Sequence, residues 1–139
     1  PEPRLVYEWH QNSQLQHDSV RFKSFEIVPG PYMVFAFESN NVGEPGNHSE
    51  TPSGLYFQVP MGADEFHLEN LEIRAHGGLY LQPCRCADRG FQYVDNGVIA
   101  GERKNETTWL LKVDVTCIGA TTGKRYEFDF EAEFQLSNP

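Results

Sequence analysis

Residues 109–136, WLLKVDVTCIGATTGKRYEFDFEAEFQL, decide the fold class. Trp109, Leu111, Val113, Val115 and Cys117 alternate with Leu110, Lys112, Asp114, Thr116 and Ile118. After a run of turn formers, Gly119-Ala120-Thr121-Thr122-Gly123-Lys124, the pattern resumes. Tyr126, Phe128, Phe130, Ala132, Phe134 and Leu136 alternate with Glu127, Asp129, Glu131, Glu133 and Gln135. A period of two places one set on a buried face and the other in water, which is the signature of a half-buried strand. Two such runs around one turn predict an antiparallel hairpin over Trp109–Leu136.

The same grammar extends outward at lower contrast. Phe91–Val94 and Val98–Ala100 flank Asp95-Asn96-Gly97, and Asn-Gly favours a tight hairpin turn. Phe66–Ala75 and Leu79–Gln82 flank His76-Gly77-Gly78, a second expected hairpin. Val20–Val28 and Tyr32–Glu38 flank Pro29-Gly30-Pro31, which predicts a sharp reversal. Leu55–Val59 is a short strand ended by Pro60, and Leu5–His10 is an expected edge strand. Only Gly62–Glu69 offers room for a helical turn. About nine short strands with turn signals between them predict one all-β domain over residues 1–139. The expected form is an antiparallel β-sandwich or jelly roll, with a closed β-barrel as the alternative. Ser39–Ser53, poor in apolar residues, is an expected long loop.

Bulk properties narrow the partners. A chain of 139 residues is long enough to bury a core, and 22% charged with 13% aromatic residues is a globular balance. The net charge of −9 argues against nucleic acid and against an anionic membrane surface. No stretch reaches the roughly 18–20 apolar residues of a membrane span, and no secretory signal is visible. The sequence opens on Pro1 instead of Met, as a trimmed form would. Asn47-His48-Ser49 and Asn105-Glu106-Thr107 are glycosylation sequons, so Asn47 and Asn105 would carry glycans on a secreted or cell-surface protein. Cys84 and Cys86 stand too close in sequence to bridge each other easily. A disulfide from one of them to Cys117, taken as Cys86 with Cys84 the alternative, would staple two strands and leave one thiol over; three reduced cysteines in the core are the other reading.

Metal chemistry has two candidate sets. Glu65, His67 and Glu69 share one face of an extended segment, as transition-metal ligands could, although alternation with Phe66 and Leu68 already explains them. Calcium requires only converging oxygens, which Asn40, Asn41, Glu44, Glu50 and Asp64 could supply, with Asp95 at a loop end. Catalysis finds less support. There is no Gly-x-Ser-x-Gly elbow and no nucleotide loop. The carboxylate row on the last strand is explained by a solvated face, unless the sheet closes around a polar lumen.

Aromatic rings are the stronger lead, because sugar rings stack on Trp and Tyr while their hydroxyls bond at the rim. Trp109 belongs to the core by alternation. Trp9 shares a face with Leu5 and Tyr7. Tyr56 is expected to face outward because Leu55, Phe57 and Val59 claim the other side; Tyr32, Tyr80 and Tyr93 are split. Among the arginines, Arg74, Arg85 and Arg89 stand out, and Cys84–Arg89 could present an anion-gripping loop. The expected ligand contacts are therefore Trp9, Tyr56, Asn40, Asn41, Arg85 and Arg89. Together these features predict an extracellular ligand-binding module, with carbohydrate the leading class and calcium the only cofactor considered. A structural subunit of a homo-oligomer or filament is the second reading, and a small cofactor-free β-barrel isomerase or cyclase the third.

Overall fold

The computed structural model describes residues 4–17, 25–40, 53–82, 90–119, 123 and 125–139. Ten strands and one short helix follow in the order β1 (Arg4–His17), β2 (Phe25–Pro29), β3 (Tyr32–Asn40), β4 (Ser53–Pro60), β5 (Glu65–Glu69), α1 (Leu71–Ala75), β6 (Leu79–Gln82), β7 (Gly90–Tyr93), β8 (Asn96–Arg103), β9 (Thr108–Ile118) and β10 (Arg125–Leu136). The fold is all-β. Its strands form one large curled sheet, a half-barrel with the path β5-β8-β9-β10-β1-β3-β4-β6-β7, and β2 pairs separately with β1. Every pairing is antiparallel except the one at the centre, where β1 and β10 run parallel. Among the described residues no helix is long and apolar enough to cross a membrane.

The expected Trp109–Leu136 hairpin is present as β9 and β10, in unbroken register from Arg125↔Ile118 to Gln135↔Thr108. Three other turn signals do something different. Asn96-Gly97 does not close a hairpin: β7 pairs with β6, whereas β8 pairs with β5 and β9. Gly97 adopts φ +123°, and a Cβ there would collide with the Asp114 carbonyl of β9. The glycine thus serves a close strand crossing and not a turn. Pro29-Gly30-Pro31 does not reverse the chain either. β2 and β3 both run antiparallel to β1, on successive stretches of it, and the Gly30 N–H donates to the Asn12 carbonyl (3.1 Å). The prolines interrupt one long returning strand, opposite a bulge in β1 where Asn12 has φ +50°.

The third signal, His76-Gly77-Gly78, follows α1 instead of joining two paired strands, because β6 pairs with β4 and β7 and not with β5. The helical turn lies at Leu71–Ala75, just past the Gly62–Glu69 window. The Leu5–His10 segment is central, flanked by β3 and β10, and not an edge.

Burial follows the alternation. Trp9, Phe35, Phe57, Trp109, Leu111, Val113, Val115, Cys117 and Phe134 make the inner face, with Ile73 of α1 and Val94 closing it. Aromatic rings bridge the two arms of the curl. Phe35 stacks on Phe57 (5.1 Å) and meets Trp109 edge-on (5.4 Å), while Phe37 contacts Phe130 (4.8 Å) and Tyr80 contacts Tyr126 (4.9 Å). Each fully buried large apolar side chain contributes about 1.5–3 kcal/mol. The β1–β10 seam is short, Glu8↔Gln135 and Trp9↔Leu136, and is reinforced from the side. The Trp9 indole N–H donates to the Thr107 carbonyl (3.0 Å), Leu136 N–H donates to the same carbonyl (2.8 Å), and Ser137 N–H donates to the Trp9 carbonyl (2.8 Å).

Candidate binding face

The outer face of β5, β8, β9 and β10 can be laid out from register alone. Side chains on one face of paired strands fall into rows. One row runs His67–Ala100–Lys112–Glu131, the next Glu65–Glu102–Leu110–Glu133, and a third Glu69–Val98–Asp114–Asp129. In the middle of the first two rows Ala100 and Leu110 stand diagonally, each beside a long charged neighbour, Lys112 or Glu102, and charged or polar side chains occupy the ends. The result is an open groove of about 590 Å³, floored by Ala100 and Leu110 and walled by Glu65, His67, Glu102, Lys112 and Glu131. That volume lies within the usual range for small-ligand sites.

Charge on this face is strongly one-sided. The groove lining carries three carboxylates, Glu65, Glu102 and Glu131, against one lysine and one histidine. Beyond it Asp114, Glu127, Asp129 and Glu133 are all exposed. Lys104 Nζ bonds Glu102 Oε1 (2.8 Å), and this contact, with the charge of Glu102, holds the lysine above its ordinary pKa. His67 Nε2 lies 2.8 Å from Glu69 Oε1, and Arg125 reaches Glu127 at 3.4 Å. The carboxylate row on β10 therefore faces solvent, and no polar lumen exists among the described residues, because the opposite face of β10 packs its rings on Tyr7, Phe37 and Tyr80.

The structure moves both described aromatic candidates away from the surface. Trp9 is 0% exposed, its indole committed to Thr107 and its ring beneath the Arg103 guanidinium (5.6 Å). Tyr56 does lie on the face opposite Leu55, Phe57 and Val59, but it is only 3% exposed. A second apolar cluster, Ala36, Leu79 and Leu81 with Leu15 and Tyr93, covers it there. Strand alternation located its side correctly; neighbouring strands, invisible to a local pattern, roofed it over. Arg74 is spent on the Tyr93 ring, its Cζ 4.3 Å from the centroid.

For Asn40 only the backbone is described, paired with Arg4 at the end of β3. Asn41, Glu44, Asn47, Glu50, Cys84, Arg85, Cys86 and Arg89 lie outside the described residues. Asp64 is exposed and its carbonyl accepts the Arg103 N–H (2.9 Å). Among the described residues no group of His, Cys, Asp and Glu is arranged to hold a metal ion, so Glu65, His67 and Glu69 share a face without converging. No disulfide is present among them either. Cys117 is buried, with its Sγ 3.5 Å from the Tyr93 carbonyl, so the described contacts do not include the expected staple to Cys86. Asn105 is exposed on the β8–β9 turn, its Oδ1 accepting from the Thr107 N–H (2.9 Å) and hydroxyl (3.0 Å).

A polar cluster that the sequence did not announce occupies the outer face of β1, β3 and β4. The Tyr56 hydroxyl donates to Glu38 Oε2 (2.9 Å), and His10 Nε2 lies 3.8 Å from Glu8 Oε2. Burial lowers the His10 pKa despite the opposing influence of Glu8 and Glu38. Burial, then the Glu38 charge and hydrogen bond, push the Tyr56 phenol far above its ordinary value. Of these residues the sequence marks only Tyr56 as outward-facing, and it is the β1–β3–β4 register that brings the four together.

No family model, no curated protein and no solved structure matches this chain.

Proposed function

We propose that this protein is a binding module whose contact surface is the groove-bearing outer face of β5, β8, β9 and β10, and that its ligand is cationic. The supporting observation is the lining of the groove, in which Glu65, Glu102 and Glu131 surround an Ala100–Leu110 floor with a single lysine among them. Exposed carboxylates at this density raise the local concentration of positive ligands and disfavour anionic ones. Their exposure also sets the face apart from an acid/base catalytic pocket, which needs a carboxylate in an apolar setting.

The groove also supports carbohydrate as the second reading. An apolar floor with hydrogen-bonding walls fits a sugar, although hydroxyl–carboxylate bonds would replace stacking on Trp9 or Tyr56. The exposed Asn105 supports a secreted or cell-surface setting with a glycan at that turn, and calcium titration belongs in the same set of experiments.

Titration of a lysine-rich peptide and of an oligosaccharide panel, followed by amide chemical shifts, tests the two readings. The expected result is peptide-induced shifts centred on Ala100, Leu110 and Lys112, weakened by salt and by Glu102→Gln. Salt-insensitive shifts at the same amides with a sugar would support the second reading. Shifts confined to other faces with every ligand would overturn both.

A further inference from the structure

The backbone of β10 has two edges, and the described strands occupy only one along its length. The register with β9 is continuous, so hydrogen-bonding direction alternates strictly along β10. Leu136 N–H donates toward β9, to Thr107, and Ser137 N–H donates the other way, to Trp9. Counting back by twos, Phe128, Phe130, Ala132 and Phe134 direct their N–H and C=O groups at β9. Glu127, Asp129, Glu131 and Glu133 direct theirs at the opposite edge. Pairing with β1 on that edge is confined to Gln135 and Leu136, because β10 then swings away across the rings of Tyr7 and Phe37. Among the described residues no strand pairs with β10 from Glu127 to Glu133 on this side, a length of about 20 Å at the usual strand rise.

We infer that this edge accepts an extended partner segment as an added strand, and that the segment alternates basic and apolar residues. Both requirements follow from the faces of β10. A partner residue beside Glu127, Asp129, Glu131 or Glu133 stands on the solvent face, where Lys or Arg complements the carboxylate. A partner residue beside Phe128, Phe130 or Ala132 stands on the inner face, where those side chains are only half-buried. Leu5, 51% exposed and on the same side of β1 as Tyr7, extends that apolar surface. The main-chain bonds supply attachment and the two faces supply specificity. A second copy of β10 is a poor occupant. Antiparallel self-pairing would set two carboxylate rows directly opposite, which is destabilising and is a known guard against edge-to-edge association.

This inference deepens the proposed cationic ligand and rests on that reading, but it can fail separately. The test uses the whole chain, the peptide Lys-Val-Lys-Val-Lys-Val-Lys, and a block isomer of the same composition. Amide hydrogen exchange is measured with and without peptide. In the free protein the Glu127, Asp129, Glu131 and Glu133 amides exchange fast while those of Phe128, Phe130 and Ala132 are slow. The alternating peptide slows the first set by about tenfold or more and binds about tenfold tighter than the block isomer. Asp129→Pro removes one edge donor without touching the β9 ladder, so the alternating peptide loses affinity while the melting temperature holds.

If the four amides are already slow in the free protein, the chain itself covers the edge and the inference is overturned. Binding that weakens with Glu102→Gln yet leaves those amides fast retains the groove and overturns strand addition. Protection that is indifferent to Glu65→Gln and Glu102→Gln retains strand addition and overturns the groove.

Discussion

The Tyr56 hydroxyl donates a 2.9 Å hydrogen bond to Glu38 Oε2 from beneath a roof of Leu79 and Leu81. A phenol in that position ties the polar cluster of Glu38, His10 and Glu8 to the apolar cluster beside it. Tyr56→Phe keeps the ring and removes the charge-assisted hydrogen bond to Glu38. The expected loss is about 1–3 kcal/mol in denaturant unfolding. Replacing Glu38 by Gln in the same background should recover part of it. In an alkaline absorbance titration the Tyr56 phenol should stay protonated well above the ordinary tyrosine range, and Tyr56→Phe should leave the curve through that range unchanged until the fold is lost.

His10 gives the fold an acid sensitivity of known sign. Its folded pKa lies below the ordinary value of about 6.5 because burial disfavours the imidazolium. Above that value both states are neutral and the residue contributes no pH dependence. As pH falls through it, the unfolded chain takes up the proton first, so stability declines until the folded state is protonated too. His10→Gln should flatten this part of the stability–pH curve and leave the neutral plateau in place. Unchanged slopes in wild type and variant would show that His10 is not the group responsible.

The two tryptophans are equally buried but differently satisfied. Trp9 bonds the Thr107 carbonyl, whereas Trp109 Nε1 has no hydrogen-bond partner among the described residues. Phenylalanine at either site loses ring volume, but at Trp109 it also relieves an unmet donor. Trp9→Phe should therefore cost about 1–2 kcal/mol more than Trp109→Phe in denaturant midpoints. Both indoles should resist iodide quenching in the native state, and a ligand on the outer groove should leave that resistance unchanged.

Gly101 positions the groove from behind. A Cβ at this residue would strike the Phe66 ring, which cannot retreat because Phe35, Phe57 and Trp109 surround it at 5.4, 5.7 and 5.4 Å. Gly101→Ala should destabilise by about 1–3 kcal/mol through overpacking. It should also disturb amide shifts at Ala100 and Glu102, on the floor and wall of the groove. A thermal melt matching wild type would indicate that β5 shifts to accommodate the methyl group.

Strand content was legible in the alternation, and so was the β9–β10 hairpin, because pattern and turn lie within one local window. Partner choice was not. Asn96-Gly97 has the composition of a hairpin turn, yet Val94 is fully buried in the core and the following strand joins β9. Pro29-Gly30-Pro31 has the composition of a reversal, yet β1 is long enough to pair with both flanking strands in succession. Turn residues state which backbone angles are available, not which strand will be met on the far side. The groove was hidden for the same reason. Glu65, Glu102 and Glu131 are scattered in sequence and become neighbours only through the order β5-β8-β9-β10.

The parallel seam between β1 and β10 also dictates when this sheet can close. Synthesis delivers β1 before the other described strands and β10 after them, and bonds such as that from Gln11 to Asn138 span 127 positions. Until β10 emerges, the β3-β4-β6-β7 arm and the β5-β8-β9 arm have no described strand to join them, and Trp9 lacks its backbone partner at Ser137. Sheets assembled from such distant pairings form slowly and leave bare strand edges while they wait. The nascent sheet is thus most vulnerable to aggregation just before β10 arrives, and a ribosome stall upstream of Arg125 should yield an insoluble product.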